Sequence, residues 1–330
     1  MRLQSLIPTI PQDLVLALET CGIRTDTDLL FCGTSIGVLQ RLPPGIVSLA
    51  DLEKYTSLVA EKASAPGIRG DEELAKELLK NPQHVTDLTC GVDELDALVG
   101  GFGSSLAFEV SGDRGSGKTT LALQIVLRLL SSRADVSVLW MDTTGDFSVQ
   151  RTADMARQLE GEASETALER LEVSLVLNLE IAQDVLEELR ASLSNLVLSP
   201  RPRCVVVDSV TPLLAPSLSA VSSQGHANMT TFMQHLRFLA RTYSLTFLII
   251  NDTSSSPPSS AFPWTNRRPA LGPSFAFLSD CTLWLAKQES SNGADTGYTT
   301  HTAEVFRSRT TYSGTWCTFE IRQGLLYSAN

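Results

Sequence analysis

The nine residues "GDRGSGKTT", 112–120, constrain this chain more than any other stretch of it. They satisfy the spacing G-x-x-x-x-G-K-[ST] with Gly112, Gly117, Lys118 and Thr119. Glycines at such a turn let backbone N–H groups close around phosphate oxygens, the lysine reaches the β and γ phosphates, and the hydroxyl can ligate Mg²⁺. The flanks decide whether the spacing means anything. "LAFEV" precedes it as a short apolar strand, and "TTLALQIVLRLL" follows as an apolar helix. A strand delivering such a turn to a helix N-terminus makes an anion site of free amides and helix dipole. A Gly-rich turn without a ligand is the alternative, and both flanks count against it.

The same rhythm continues downstream. "VSVLWMD", "CVVVDS" and "LTFLIIN" are continuous apolar runs of strand length. Between them, "LEIAQDVLEELRASLSNL" repeats Leu179, Ala182, Leu186, Leu189 and Leu193 at helical spacing, and "HANMTTFMQHLRFLARTY" reads as another helix. Strands without polar alternation, separated by helices, predict an α/β fold with a mostly parallel central sheet covered on both faces. After residue 280, "CTLWLAK", "TAEVFRSRT" and "WCTFEIRQGLLYS" read as shorter antiparallel strands that close the domain. Residues 251–272, "NDTSSSPPSSAFPWTNRRPALG", read as one long structureless loop, a kind that is usually functional or disordered.

Residues 1–62 have a different texture. In "QDLVLALETCGI", Leu14, Leu18 and Cys21 share a face and Gly22 can end the helix. "SLADLEKYTSLVAEKA" opens on a Ser48 cap and packs Leu49, Leu52 and Leu58. The expected organisation is a small helical domain over 1–62, a linker over 63–85 carrying Pro66, Gly67, Gly70 and Pro82, and the α/β core over 86–330. The net charge of −11 argues against a chain that binds polyanions over its whole surface, so any nucleic-acid contact must be local or shared with a partner. Six scattered cysteines without a CxxC pair read as reduced, intracellular thiols rather than a zinc site. Prolines and Asp13 interrupt the first apolar stretch, which argues against a signal peptide, and no apolar run is long enough for a membrane span.

A metal-bound nucleotide calls for an acid, and Asp208 ends the apolar run "CVVVD" at the edge where open α/β sheets bind ligands. A strand-end capping Asp is the alternative. Hydrolysis calls for one more group, to orient and activate water. "LWMDTTGDF" offers Asp142 but no Glu before Gly145, and the end of "LTFLIIN" offers Asn251 and Asp252.

With these motifs the chain resembles the RecA family, and within it the eukaryotic RecA-like recombinases and their paralogues. The segments that carry the resemblance are "CGVDELDALVGGFGSSLAFEVSGDRGSGKTTLALQ", "VLWMDTTGDFSVQR", "CVVVDSVTPLLAP" and "RPALGPSFAFLSDCTLWLAK", in the family's order over about residues 86–290. The last two are most similar to the D-type paralogue. The resemblance implies a RecA-like P-loop ATPase core behind a helical N-terminal domain. It implies ATP and Mg²⁺ as ligands, held by Gly112, Asp113, Arg114, Gly115, Ser116, Gly117, Lys118, Thr119 and Thr120, with Thr119 and Asp208 on the metal. Arg151 falls where family members stack an arginine on adenine, a solvated helix arginine being the alternative.

Three positions depart from the active recombinases. Thr144 occupies the position of the catalytic glutamate, and a hydroxyl cannot serve as a carboxylate base. Asp252 stands where a glutamine senses the γ-phosphate, and an acid there repels phosphate unless it points away. No Phe occurs between Phe31 and Phe102, so the linker lacks the Phe-x-x-Ala peptide of polymerising recombinases. The resemblance further implies that residues 212–226 and 252–270 face single-stranded DNA. The first segment has no Lys or Arg; the second offers Trp264, Arg267 and Arg268 for stacking and phosphate pairing, against the plainer reading of a solvated arginine pair.

The function that follows is an ATP-binding accessory subunit of homologous recombination and DNA damage sensing in the nucleus. It would hydrolyse ATP weakly or not at all, assembled with other RecA-like recombinase paralogues in a hetero-oligomer that supports a recombinase on single-stranded DNA. Two other classes stay open: a non-catalytic interaction protein with a vestigial loop, and a small-molecule P-loop kinase, against which the motif order and the missing Arg-rich lid count.

Overall fold

A computed structural model describes residues 2–64, 69–72, 75, 88–103, 105–159, 164–194, 199–218, 223–255, 267–272, 274–288 and 297–329. The chain divides into two compact units, residues 1–83 and 84–330. Most of the linker read over 63–85 lies outside the described residues.

The first unit is helical: α1 (Gln12–Thr20), α2 (Asp26–Phe31), α3 (Ser35–Leu39) and α4 (Leu49–Ala63). Each boundary has a local cause. Gly22, at φ +81°, turns the chain after α1 where a side chain would be strained. Thr25 and Asp28 form a reciprocal capping box on α2, and the Ser48 hydroxyl accepts the Asp51 N–H at the start of α4. Leu3, Leu14, Leu18, Leu52 and Val59 are buried together. Val59, rather than the expected Leu58, takes the inner position on α4; Leu58 is only half-buried.

The second unit is built on a nine-stranded sheet. Its strands are β1 (Ala107–Gly112), β2 (Val136–Asp142), β3 (Leu171–Leu175), β4 (Arg201–Asp208), β5 (Thr246–Asn251), β8 (Cys281–Lys287), β9 (Tyr298–Ser308), β10 (Trp316–Arg322) and β11 (Leu325–Ser328). They lie in the order β11-β10-β9-β8-β1-β5-β4-β2-β3. The pairs from β8 through β1, β5, β4 and β2 to β3 are all parallel, and β8 to β11 pair antiparallel.

The helices of this unit are α5 (Asp93–Val99), α6 (Lys118–Ser132), α7 (Val149–Gln158), α8 (Leu179–Leu193), α9 (Val210–Leu214) and α10 (Ser223–Tyr243). Side chains alternate across the sheet with period two, so each central strand feeds two cores. Phe108, Val138, Val206 and Leu248 join the core under α6; Leu139, Val205, Phe247 and Ile249 join the one under α8 and α10. Two covered faces explain why these strands are largely apolar on both sides.

In the second unit the structure corrects the sequence reading in three places. "CTLWLAK" is not purely antiparallel: β8 runs parallel to β1 and only its outer side begins the antiparallel wing. "LEVSL" forms β3, an edge strand with one free side and mostly exposed residues, which gives it no apolar run to notice. The segment 251–272 is not structureless: β6 (Thr253–Ser255) and β7 (Arg267–Pro269) pair antiparallel at its base, and residues 256–266 lie outside the described residues.

Candidate nucleotide-binding site

The phosphate loop leaves the C-terminal end of β1, the middle strand of the nine-stranded sheet, and enters α6 at Lys118. Its glycines are required by geometry. A Cβ on Gly112 would stand 2.3 Å from the carbonyl oxygen of Leu285, and one on Gly117, at φ +100°, 2.8 Å from Ile321 Cδ1. Gly115, at φ +81°, faces open space. No side chain caps the N-terminus of α6, so its first N–H groups stay available to a ligand. Among the described residues, the buried Ser116 hydroxyl finds no hydrogen-bond partner.

The loop forms one wall of a cavity of about 760 Å³. Lys118 is buried at its floor. Its Nζ donates to the carbonyl oxygens of Gly112 at 2.6 Å and Asp113 at 3.2 Å, and lies 3.7 Å from Asp252 Oδ1. Burial holds the lysine below its ordinary pKa, while the charges of Asp252, Asp208 and Asp113 oppose that shift. Thr119, one residue on, donates its hydroxyl to Asp208 Oδ2 at 3.0 Å. Burial pushes the Asp208 carboxyl up to about 6, against the Thr119 hydrogen bond. A hydroxyl and a carboxylate in contact beside a phosphate loop are a donor set for Mg²⁺, a hard cation that takes oxygen ligands.

β2 ends opposite. Buried Asp142 accepts the backbone N–H groups of Thr144 at 3.1 Å, Gly145 at 2.9 Å and Phe147 at 3.0 Å, which folds the strand end into a tight turn. That turn fixes two neighbours. The Thr143 hydroxyl exchanges hydrogen bonds with both the N–H and the carbonyl of Ser209, each at 2.8 Å, and ties β2 to the end of β4. Thr144 lines the cavity with its hydroxyl toward Asp142. Arg151, on α7, lines the same cavity, and its Nη2 donates to the Thr120 hydroxyl.

Three contributions escaped the sequence reading. Glu109, inside the apolar "LAFEV", is completely buried and accepts hydrogen bonds from Ser111 Oγ at 2.8 Å, Asn251 Nδ2 at 2.7 Å and Thr282 Oγ1 at 2.8 Å. Asn251 in turn accepts the Thr211 hydroxyl at 2.9 Å, and Thr211 accepts the Asp252 N–H at 3.0 Å. From β9, His301 reaches 185 residues back to the Ser116 carbonyl at 3.0 Å and stacks on Phe319. Burial holds its pKa down, which favours a neutral ring donating from Nδ1. Thr253 donates to Asp113 Oδ1 at 2.8 Å, so β6 leans directly on the phosphate loop. An acid inside an apolar run, and partners over a hundred residues away, leave no local pattern to find.

The structure thus brings Gly112, Asp113, Arg114, Gly115, Gly117, Lys118, Thr119, Thr120, Thr144, Arg151, Asp208 and Asp252 to one cavity, whereas Ser116 is buried behind the loop and does not line it. The DNA-facing candidates lie on another part of the chain: Arg267 and Arg268 are on β7, Arg268 is exposed, and Trp264 lies outside the described residues.

Sheet order, loop and cavity define a RecA-like P-loop protein. The family model described as Rad51 matches residues 81–295, and the chain belongs to the Rad51 family. The chain is 30% identical over 291 residues to the DNA repair protein RAD51 homolog 4 of Bos taurus, covering 87% of this chain and 85% of that protein. It is 31% identical over 165 residues to the DNA repair and recombination protein RadB of Pyrococcus horikoshii, covering 50% of this chain and 66% of that one. The crystal structure of the RadB recombinase superposes with a TM-score of 0.57 at 25% identity, covering 74% of this chain and all of that one. The similarity to RAD51 homolog 4 agrees with the D-type resemblance of the sequence motifs. Among the described residues no helix is long and apolar enough to cross a membrane.

Proposed function

We propose that this chain binds ATP with Mg²⁺ and serves DNA repair by homologous recombination in the nucleus. In this reading it is an accessory subunit of a complex of RecA-like paralogues that supports a recombinase on single-stranded DNA. The observation that carries the reading is the pairing of a complete phosphate cradle with an incomplete hydrolytic one. Lys118, Thr119 and Asp208 stand together in the cavity. Thr144, at the turn after β2, brings a hydroxyl where a base would stand. When bound, the Mg²⁺-nucleotide would place its phosphates on the loop amides and Lys118, with Thr119 and Asp208 on the metal and Arg151 beside the base. The chain then holds ATP more than it consumes it, and any fast turnover draws its missing groups from a partner subunit.

Family membership and the similarity to proteins named for DNA repair support the pathway. The acidic balance of −11 fits weak, loop-dependent DNA contact through Arg267 and Arg268 better than strong independent binding. The helical unit and the α/β unit offer separate surfaces to separate partners.

The test is titration of the isolated chain with a fluorescent ATP analogue and Mg²⁺, alongside phosphate release. The wild type should bind and turn over very slowly, because a positioned base contributes roughly 10²–10⁴-fold in rate. Lys118→Ala should weaken binding by about 10- to 100-fold, the worth of a hydrogen bond to a charged group. Brisk turnover by the isolated wild type, abolished by Lys118→Ala, overturns the reading. Co-purification from cells with no other recombinase-like subunit overturns the accessory role.

A further inference from the structure

Lys118 is placed to meet phosphate, yet its side chain already faces a carboxylate. Asp252 begins the connection after β5, lines the cavity, and holds Oδ1 3.7 Å from Lys118 Nζ. Its position is not accidental. The Asp252 N–H is held by the Thr211 hydroxyl at 3.0 Å, and its carbonyl accepts the Ala270 N–H at 2.8 Å. The next residue, Thr253, is tied to the phosphate loop through Asp113 at 2.8 Å. Backbone anchors on both sides therefore hold the carboxylate over the lysine.

A phosphate loop does not treat the phosphates alike. Its amides surround the α and β phosphates, whereas the terminal one relies on the lysine and the metal. A carboxylate beside that lysine leaves the amide cradle untouched and sets its like charge against the γ phosphate more than against the amide-held β phosphate. Asp208 already places one carboxylate on the metal side, in contact with Thr119. A second one on the lysine side has no metal contact to offset its charge.

We infer that Asp252 is a specificity-determining residue that makes this site favour a nucleoside diphosphate over the triphosphate. Resting on the nucleotide-binding reading above, this adds that the site selects by phosphate number. The diphosphate, held by the loop amides, can share Lys118 with Asp252, and the triphosphate has to displace Asp252 from it. A subunit with such a site still binds the triphosphate but holds the diphosphate more tightly.

The experiment compares binding of fluorescent ADP and ATP analogues, each with Mg²⁺, to the full-length wild type, Asp252→Asn and Asp252→Glu. Melting curves by circular dichroism establish that each variant is folded. The wild type should bind ADP more tightly than ATP. Asp252→Asn, the same shape without the charge, should tighten ATP by about tenfold, as expected for removing one close like charge in a partly exposed site, and change ADP by less than about twofold. Asp252→Glu should keep the preference for ADP. An unchanged ATP-to-ADP ratio in Asp252→Asn overturns the inference while leaving the nucleotide site standing. A wild type that binds neither analogue overturns the nucleotide reading itself. A wild type that already prefers ATP overturns the role given to Asp252.

Discussion

Replacing Glu109 by Met should cost several times more stability than replacing it by Gln. The carboxyl is completely buried and takes three hydrogen bonds, from Ser111, Asn251 and Thr282. Met has a similar length and no polar atoms, so it strands these donors. A buried donor left without a partner costs about 1–3 kcal/mol. Asn251 keeps the Ala270 carbonyl at 3.1 Å, and Thr282 keeps Ser279 at 3.0 Å, so part of the loss is recovered. The sum is roughly 3–5 kcal/mol, a large share of the 5–15 kcal/mol that holds a typical domain. Gln fits the network. Its oxygen can accept from Ser111 and Asn251, and its NH₂ can donate to Thr282, whose hydroxyl then turns to Ser279. That exchange should cost about 1 kcal/mol or less. A pH arm sharpens the test. Burial holds the Glu109 carboxyl well above the ordinary carboxylate range. The folded state then binds this proton more tightly than the unfolded one. The resulting stability is fully present below the unfolded pKa of about 4.3 and is lost as pH rises toward the folded value. Gln carries no such proton, so the wild type should lose ground against Glu109→Gln between pH 4.5 and neutrality. Urea denaturation followed by circular dichroism, at acid and neutral pH, measures both effects. Equal midpoints for the Met and Gln variants, or a gap between wild type and Gln that ignores pH, would refute the argument.

Two further outcomes follow from the same geometry. Asp208 must be ionised to hold a metal, and its carboxyl stands at about 6. The Mg²⁺-dependent part of nucleotide affinity should therefore be full above that pH and fall by about tenfold per unit below it, as the proton competes; titrations with and without Mg²⁺ at several pH values check this, and Asp208→Asn should flatten the profile. Gly112→Ala drives a Cβ to 2.3 Å from the Leu285 carbonyl, on the strand that pairs with β1, whereas Gly115→Ala points into open space. The first should cost about 3 kcal/mol or more and the second about 1 kcal/mol of backbone strain, read as the difference in melting temperature.

Much of this architecture is local information, and that part is legible. β1, β2, β4 and β5 are covered on both faces, so each is a largely apolar run that announces itself. The phosphate loop is legible because one turn must hold its glycines, lysine and hydroxyl within nine residues. β3 is illegible for the opposite reason: at the sheet edge its residues need not be apolar. For one strand the direction is silent in the sequence. "CTLWLAK" is apolar whether it pairs parallel or antiparallel, and it does both, with β1 on one side and β9 on the other. The same division runs through the site. Lys118, Thr119 and Asp208 follow from pattern, and the resemblance to known recombinases draws attention to Thr144, Arg151 and Asp252. Pattern cannot supply Glu109, because one acid in an apolar strand looks like an interruption until Asn251 and Thr282 are seen to close on it from 142 and 173 residues away. Nor can it supply the pairing of Asp252 with Lys118, which depends on β5 ending beside β1 in the sheet. The identity of a ligand is written in the loop. The choice between ligands of one kind rests on which strand ends next to it, and that is a property of the fold.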